Sequence, residues 1–79
     1  MRALPQAGEI YKHFKGNDYL IIGIGTLADN SIEDFEDCVV YKRLKDNTLW
    51  MRSVTEFMSK VDTDKYPDIQ QIYRFERVK

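Results

Sequence analysis

The sequence predicts a small, mainly β fold: an SH3-like barrel or roll of four to five antiparallel strands with one short helical turn. Short runs rich in aromatic and β-branched residues alternate with turn residues, glycines interrupt the most apolar run, and one site has the pattern of a helix start. A chain of 79 residues has the length of one domain. We therefore assign residues 1–79 to a single domain, with residues 1–9 as a loose N-terminal arm.

The first two predicted strands form a hairpin. Residues 10–15 are rich in aromatic and apolar side chains and end at Gly16-Asn17-Asp18, residue types that tolerate the positive φ of a tight turn. Residues 19–26 carry apolar side chains on both faces of the two-residue period, which predicts the central strand of the sheet. Gly23 and Gly25 favour a bulge or a sharp bend toward the end of that strand.

A second hairpin is predicted after an acidic loop. The loop, residues 27–37, holds several carboxylates and no basic residue. Residues 38–45 alternate as a strand, Asp46-Asn47 is a tight turn, and residues 48–52 form the fourth strand.

The remaining segment contains the helix signal and the last strand. Ser53 and Glu56 have the spacing of a capping box, in which each side chain bonds the backbone N–H of the other residue, and a helical turn should follow. Residues 62–79 are a C-terminal extension, of which residues 72–78 alternate as a last strand. An α+β fold results if residues 53–71 are more helical than this.

The composition argues against several classes of protein. The net charge is −1, so only a local basic patch can favour nucleic acid or an acidic membrane. The single cysteine, Cys38, cannot form an intrachain disulfide, and no cluster has metal-ligand spacing. We see neither a secretion signal nor a membrane-spanning run. We therefore expect a cytoplasmic protein with no membrane association, no metal and no cofactor.

Aromatic and cationic residues of the predicted strands make up the candidate ligand-binding site: Tyr11, His13, Tyr19, Tyr41, Trp50 and Arg52. Neighbouring strands can bring these side chains to one face, and small barrels bind peptides or nucleic-acid bases on such platforms. The alternative is that so small a domain uses its aromatic residues as core, with Trp50 and Phe14 foremost among them.

Three blocks of the sequence resemble a known family. They are Tyr11-x-His13-Phe14-Lys15-Gly16-x-x-Tyr19, Val39-Val40-Tyr41-x-x-Leu44 and Leu49-Trp50-x-Arg52-Ser53-x-x-x-Phe57. They are similar to the small bacterial proteins of domain-of-unknown-function family 1653, over residues 8–61 with a weaker match at Arg74-Phe75. The resemblance implies an SH3-like barrel in a bacterial, cytoplasmic protein, and it implies no activity. In that family a histidine and a carboxylate often follow the second strand. The corresponding stretch here is Thr26-Leu27-Ala28-Asp29-Asn30, which has no histidine and lies in a longer loop, so the resemblance implies no site built on that histidine.

These observations predict a non-catalytic binding module for a peptide or protein partner, with no enzyme activity. The alternative is a nucleic-acid-binding barrel that uses a basic cluster made of Lys42, Arg43, Lys45 and Arg52. An enzyme centred on His13, the only histidine, would need a second polar group within reach of its ring, and the sequence shows no catalytic constellation. We expect a monomer or a weak homodimer.

Overall fold

A computed structural model describes residues 2–26 and 36–79 and contains one five-stranded antiparallel sheet. Its elements are β1 (Ile10–His13), β2 (Asp18–Gly25), β3 (Cys38–Arg43), β4 (Leu49–Ser53), α1 (Val54–Phe57) and β5 (Phe75–Arg77). The strand order is β4-β3-β2-β1-β5, so β2 is central, as the apolar character of both its faces predicted.

The prediction of a mainly β fold with four to five antiparallel strands and one short helical turn is confirmed, since the described residues form five strands and one short helix. Closure into a barrel is not seen among the described residues, because β4 and β5 form the two edges of the sheet and do not pair with each other. The SH3-like barrel therefore stays a prediction of the resemblance. Most of the predicted acidic loop, residues 27–35, lies outside the described residues.

Both predicted hairpins form, and the turn of each one contains a residue with a positive φ. Gly16 has a φ of 110° between β1 and β2, and Asn47 has a φ of 60° between β3 and β4. Glycine adopts this region without cost, and asparagine tolerates it better than other residues do. The register of β2 against β3 shifts between Ile21 and Gly23, which confirms the predicted bulge.

The helix start forms only half of the predicted capping box. The Ser53 hydroxyl accepts a hydrogen bond from the backbone N–H of Glu56 at 3.2 Å and so caps α1. The Glu56 carboxylate turns away from Ser53 and lies 3.1 Å from Arg52 and 3.7 Å from Arg74. Two nearby guanidinium groups attract it more strongly than one backbone N–H does.

The C-terminal segment is less regular than the sequence predicted. Within residues 53–71 only Val54–Phe57 is an α-helix, so the α+β alternative is wrong. The last strand shortens to Phe75–Arg77, and an isolated bridge joins Lys60 to Tyr73. The Gln71 side-chain amide donates to the carbonyls of Lys12 and Tyr73 at 3.0 and 2.9 Å, which ties this segment to β1.

The N-terminal segment, predicted to be a loose arm, is attached to the body of the domain. Arg2 donates hydrogen bonds to the carbonyls of Met58 and Phe75, and its guanidinium lies 3.8 Å from the centre of the Tyr73 ring. The backbone N–H of Gly8 donates to the Ile21 carbonyl at 2.9 Å. These contacts hold both ends of the segment.

Aromatic rings make up most of the core on one face of the sheet. Phe57 of α1 and Phe75 of β5 stack with their ring centres 4.1 Å apart and an interplanar angle of 10°. The rings of Tyr11, Tyr19 and Tyr41 surround this pair in edge-to-face contacts. All five side chains are buried, and Ile21, Val39 and Val61 complete the buried apolar set.

We predict that Phe57→Ala unfolds much of the protein. The fully buried ring contributes both transfer free energy and packing, and its loss should cost about 3–5 kcal/mol, against a stability of about 5 kcal/mol for a chain of this size. Leu49→Ala, at an exposed position on β4, should change stability by less than about 0.5 kcal/mol. Urea denaturation followed by circular dichroism measures both, and equal midpoints would contradict the packing argument.

Candidate functional site

A cleft of about 510 Å³ opens on the same face of the sheet as the aromatic core. Five of the six predicted site residues line it: His13, Tyr19, Tyr41, Trp50 and Arg52. They come from four adjacent strands or strand ends, because cross-strand partners share a face of the sheet. Tyr41 pairs with Trp50, and Arg52 pairs with the buried Val39.

Tyr11 is the predicted site residue that the structure separates from the others. Its ring is buried against Phe57, with 5.5 Å between ring centres, and it borders a different depression beside Arg2. Burial, followed by the charge of Glu9, raises the pKa of the Tyr11 hydroxyl. Tyr11 therefore contributes to the core and stays un-ionised at neutral pH.

The alternative prediction was that the aromatic residues form the core, with Trp50 and Phe14 foremost, but the structure buries other aromatic residues. Tyr41 is 2% exposed and Tyr19 is also buried, so their rings belong to the core while they form the floor of the cleft. Trp50, which was foremost among the candidates for the core, is 39% exposed and stands on the wall of the cleft. Phe14 is half-buried on the same cleft.

A chain of polar contacts at the β3–β4 turn fixes the Trp50 ring. Asp46 accepts two hydrogen bonds from Arg43, at 2.6 and 3.1 Å, and one from the Thr48 hydroxyl at 2.7 Å. The Thr48 oxygen in turn accepts from the Trp50 indole N–H at 2.7 Å, and the Arg43 guanidinium lies 4.7 Å from the Trp50 ring centre. The bonds from Arg43 hold the pKa of Asp46 well below its usual range, so this carboxylate stays charged.

Two guanidinium groups share one carboxylate at the α1 side of the cleft. Arg52 donates to the Tyr41 hydroxyl at 3.2 Å and to Glu56 at 3.1 Å, and Arg74 lies 3.7 Å from the same Glu56 oxygen. Arg74 also donates to the Ser59 hydroxyl at 3.3 Å. The two arginines are therefore neighbours that hold fixed orientations, and the Glu56 residue between them is exposed.

Two ammonium groups of the cleft lie around Tyr66. The Lys15 and Lys65 nitrogens are 5.5 and 5.6 Å from the centre of the Tyr66 ring, which packs edge-to-face on Phe14. Hydrogen bonding to Lys15 lowers the pKa of the Tyr66 hydroxyl. Among the described residues, neither lysine forms an ion pair with a carboxylate.

The cleft carries a surplus of positive charge. Among the described residues, the arginine and lysine side chains that line it are Arg43, Arg52, Arg74, Lys15 and Lys65. Three carboxylates in the described part of the chain oppose them: Asp46 on Arg43, Glu56 between the two other arginines, and Asp62 on the rim. The surplus is two positive charges in a chain whose net charge is −1. The cleft is thus a local cationic site on an otherwise acidic molecule, and it attracts anions.

His13 lies where these groups meet, and it is neutral. Its ring contacts Phe75, Phe14 and Tyr19, and its Nδ1 accepts the backbone N–H of Lys15 at 3.1 Å, which leaves the proton on Nε2. Burial, and then the charges of Arg52, Arg74 and Lys15, lower the pKa of His13 to about 4. His13 therefore offers the cleft an N–H donor and no charge at neutral pH.

The basic cluster predicted for nucleic acid does not form one surface. Arg43 and Arg52 line the cleft, whereas Lys42 points to the opposite face of the sheet, because successive side chains of a strand alternate. Lys42 pairs there with Leu20 and Leu49.

Sequence reasoning missed the cations contributed by distant segments. Lys15 comes from the β1–β2 turn, Lys65 from the segment between α1 and β5, and Arg74 from the residue before β5. Arg74 stood in the weak match to the family and was not assigned a role. Lys15 stood in the first block of the resemblance and was likewise not assigned a role, and Lys65 carries no local pattern that separates it from an ordinary surface charge.

Two other kinds of site are not found in the described residues. No three His, Cys, Asp or Glu side chains of the described segments are grouped so that they could hold a metal ion. Within residues 2–26 and 36–79, no helix has the length and apolar character needed to cross a membrane.

We predict that His13 makes the protein less stable as the pH falls from 6.5 toward 4. The unfolded chain takes up a proton on this residue near pH 6.5, whereas the folded chain resists it until about pH 4, so the unfolded state binds more protons in this window. His13→Gln should flatten the fall in the urea midpoint between pH 7 and pH 5. Equal slopes in the two proteins would show that His13 is not the group responsible.

Comparison with known proteins and protein families identifies the family to which this chain belongs. No curated protein and no solved structure shows significant similarity to this chain. A family model described as "Protein of unknown function (DUF1653)" matches residues 9–77, which includes all five strands and every residue of the cleft. The chain thus belongs to the DUF1653 family of proteins of unknown function.

Proposed function

We propose that this chain is a non-catalytic binding module that holds an anionic segment of a peptide or protein partner in the cationic, aromatic cleft. The observation that carries the proposal is the grouping of Trp50, Arg52 and Arg74 around one open cleft. An exposed indole offers apolar contact area, and guanidinium groups offer forked donors that match a carboxylate.

The rigidity of the cleft supports a binding role. Trp50 is held by Thr48, Arg52 by Tyr41, and Arg74 by Ser59, so these side chains lose little conformational freedom when a ligand arrives. A cleft of about 510 Å³ lies within the size range of small-ligand sites and accommodates a few side chains of a peptide.

The surroundings of His13 support a non-catalytic role. In the described segments, the only hydrogen bond to its ring is a backbone N–H from Lys15, and its ring contacts are aromatic. A general base needs an orienting partner and a reacting group within hydrogen-bond reach.

A nucleic-acid module is the second candidate, and one contact favours it. Arg43 stacks on the exposed Trp50, and such a pair can contact both a base and a phosphate. Because Lys42 lies on the opposite face of the sheet, the basic surface on the cleft side is shorter than the continuous basic track that a nucleic-acid strand requires. Nucleic-acid binding would weaken steeply with salt, because each phosphate contact releases counterions.

We predict that Trp50→Ala and Arg52→Ala each weaken the binding of acidic peptides by at least about tenfold. The first removes the apolar wall of the cleft, and the second removes one of the two paired guanidinium groups. Arrays of acidic, neutral and basic peptides identify a binder, and fluorescence anisotropy gives its affinity for each variant. Met51→Ala is the matched control, because Met51 is also an exposed residue of β4 but lies on the opposite face.

Circular dichroism and urea midpoints establish that the variants remain folded. Folded Trp50→Ala and Arg52→Ala variants that bind the same peptides with unchanged affinity would refute the proposed function. Tighter binding to single-stranded RNA or DNA than to any peptide, with a steep salt dependence, would replace it with the second candidate.

A further inference from the structure

The charge balance of the cleft restricts the group that it can hold. In the described residues five cations line the cleft and three carboxylates oppose them, so two positive charges are left uncompensated. A single carboxylate would leave one of them uncompensated. A dianion would neutralise both, and phosphate monoesters carry close to two negative charges at pH 7.

The donors converge on one region of the cleft from three segments. Arg52 comes from β4, Arg74 from the residue before β5, and Lys15 from the β1–β2 turn, and all three line the same cleft as His13. The charges of these three cations also help to lower the pKa of His13. An anion beside His13 is therefore within the field of all three cations. The neutral His13 adds an Nε2–H donor, and it accepts no bond from the ligand because Nδ1 is occupied by Lys15.

Glu56 shows how an anion fits between the arginines. Its carboxylate lies 3.1 Å from Arg52 and 3.7 Å from Arg74, and these two guanidinium groups also donate to the hydroxyls of Tyr41 and Ser59. Five N–H donors on each guanidinium are more than these contacts use. A tetrahedral group with three acceptor oxygens suits the remaining donors better than a planar carboxylate does.

We propose that the group recognised in the cleft is a dianionic phosphate monoester, carried on the peptide segment of the partner. The part of this inference that puts the phosphate on a peptide rests on the proposed function. The part that says how the phosphate is recognised rests on Arg52, Arg74, Lys15 and His13. Glu56 then acts as a competing internal anion that weakens the binding of phosphate.

The first test compares two small probes of the same shape and different charge. Phenyl phosphate is a dianion at pH 7.5, and phenyl sulfate is a monoanion. We expect phenyl phosphate to bind at least about tenfold more tightly, measured by Trp50 fluorescence and by backbone amide NMR shifts at His13, Lys15 and Arg74. Equal affinities, or no binding of phenyl phosphate at millimolar concentration, would overturn the inference.

The second test uses a variant that should improve binding. Glu56→Gln removes the competing charge while the cap of α1 survives, because Ser53 bonds the backbone N–H of residue 56. We expect its affinity for phenyl phosphate to rise about threefold to tenfold. Glu9→Gln is the matched control, since it removes the same charge from an ion pair with Arg77 away from the cleft. An equal gain in the control would mean that net charge alone is responsible and would overturn the role of Glu56.

The third test separates this inference from the proposed function. The tightest peptide from the array is synthesised with phosphoserine, and with glutamate, at its acidic position. Tighter binding of the phosphopeptide supports the inference.

If both peptides bind equally through Trp50 and Arg52, the inference fails and the proposed function stands. If phenyl phosphate binds but no peptide does, the proposed function fails. Stronger binding of adenosine monophosphate than of the phosphopeptide would overturn the assignment to a peptide.

Discussion

The stacking of Phe75 on Phe57 is the contact on which the rest of the structure depends. Phe75 belongs to a three-residue edge strand and Phe57 to a four-residue helix, neither of which is stable as an isolated element. Their rings lie 4.1 Å apart and also contact Tyr19 and Tyr41 from the two strands at the middle of the sheet. One cluster of buried rings therefore holds both short elements on the sheet.

The core and the cleft are continuous, and tyrosine makes this possible. A buried tyrosine ring packs like phenylalanine, while its hydroxyl can stay at a polar boundary. Tyr41 contacts Phe57 and Phe75 through its ring and accepts a hydrogen bond from Arg52 through its hydroxyl. Arg52 thus packs on the aromatic core, which fixes its position and lowers the local dielectric around it. The depressed pKa of His13 has the same origin.

The features that sequence reasoning predicted correctly are those set by neighbouring residues. Gly16 and Asn47 indicate turns because of their backbone freedom, Ser53 indicates a helix cap, and the glycines of β2 indicate a bulge. Five of the six candidate residues line one cleft, and ligand binding by them stays a prediction. The sequence did not predict how the aromatic residues divide between core and surface, because Trp50 and Tyr41 are cross-strand partners of similar aromatic character and only their depth in the fold separates them.

The sequence by itself determined the strand and turn pattern, the single short helix and the aromatic and cationic character of the first sixty residues, because these depend on contacts between residues close in the chain. The tertiary structure decided which cations meet. Lys15, Lys65 and Arg74 are dispersed over sixty residues, and they reach one cleft only because β5 pairs with β1 and the segment before β5 packs on Phe14 through Tyr66. A local charge surplus of this kind arises from folding, since the net charge of the chain gives no sign of it.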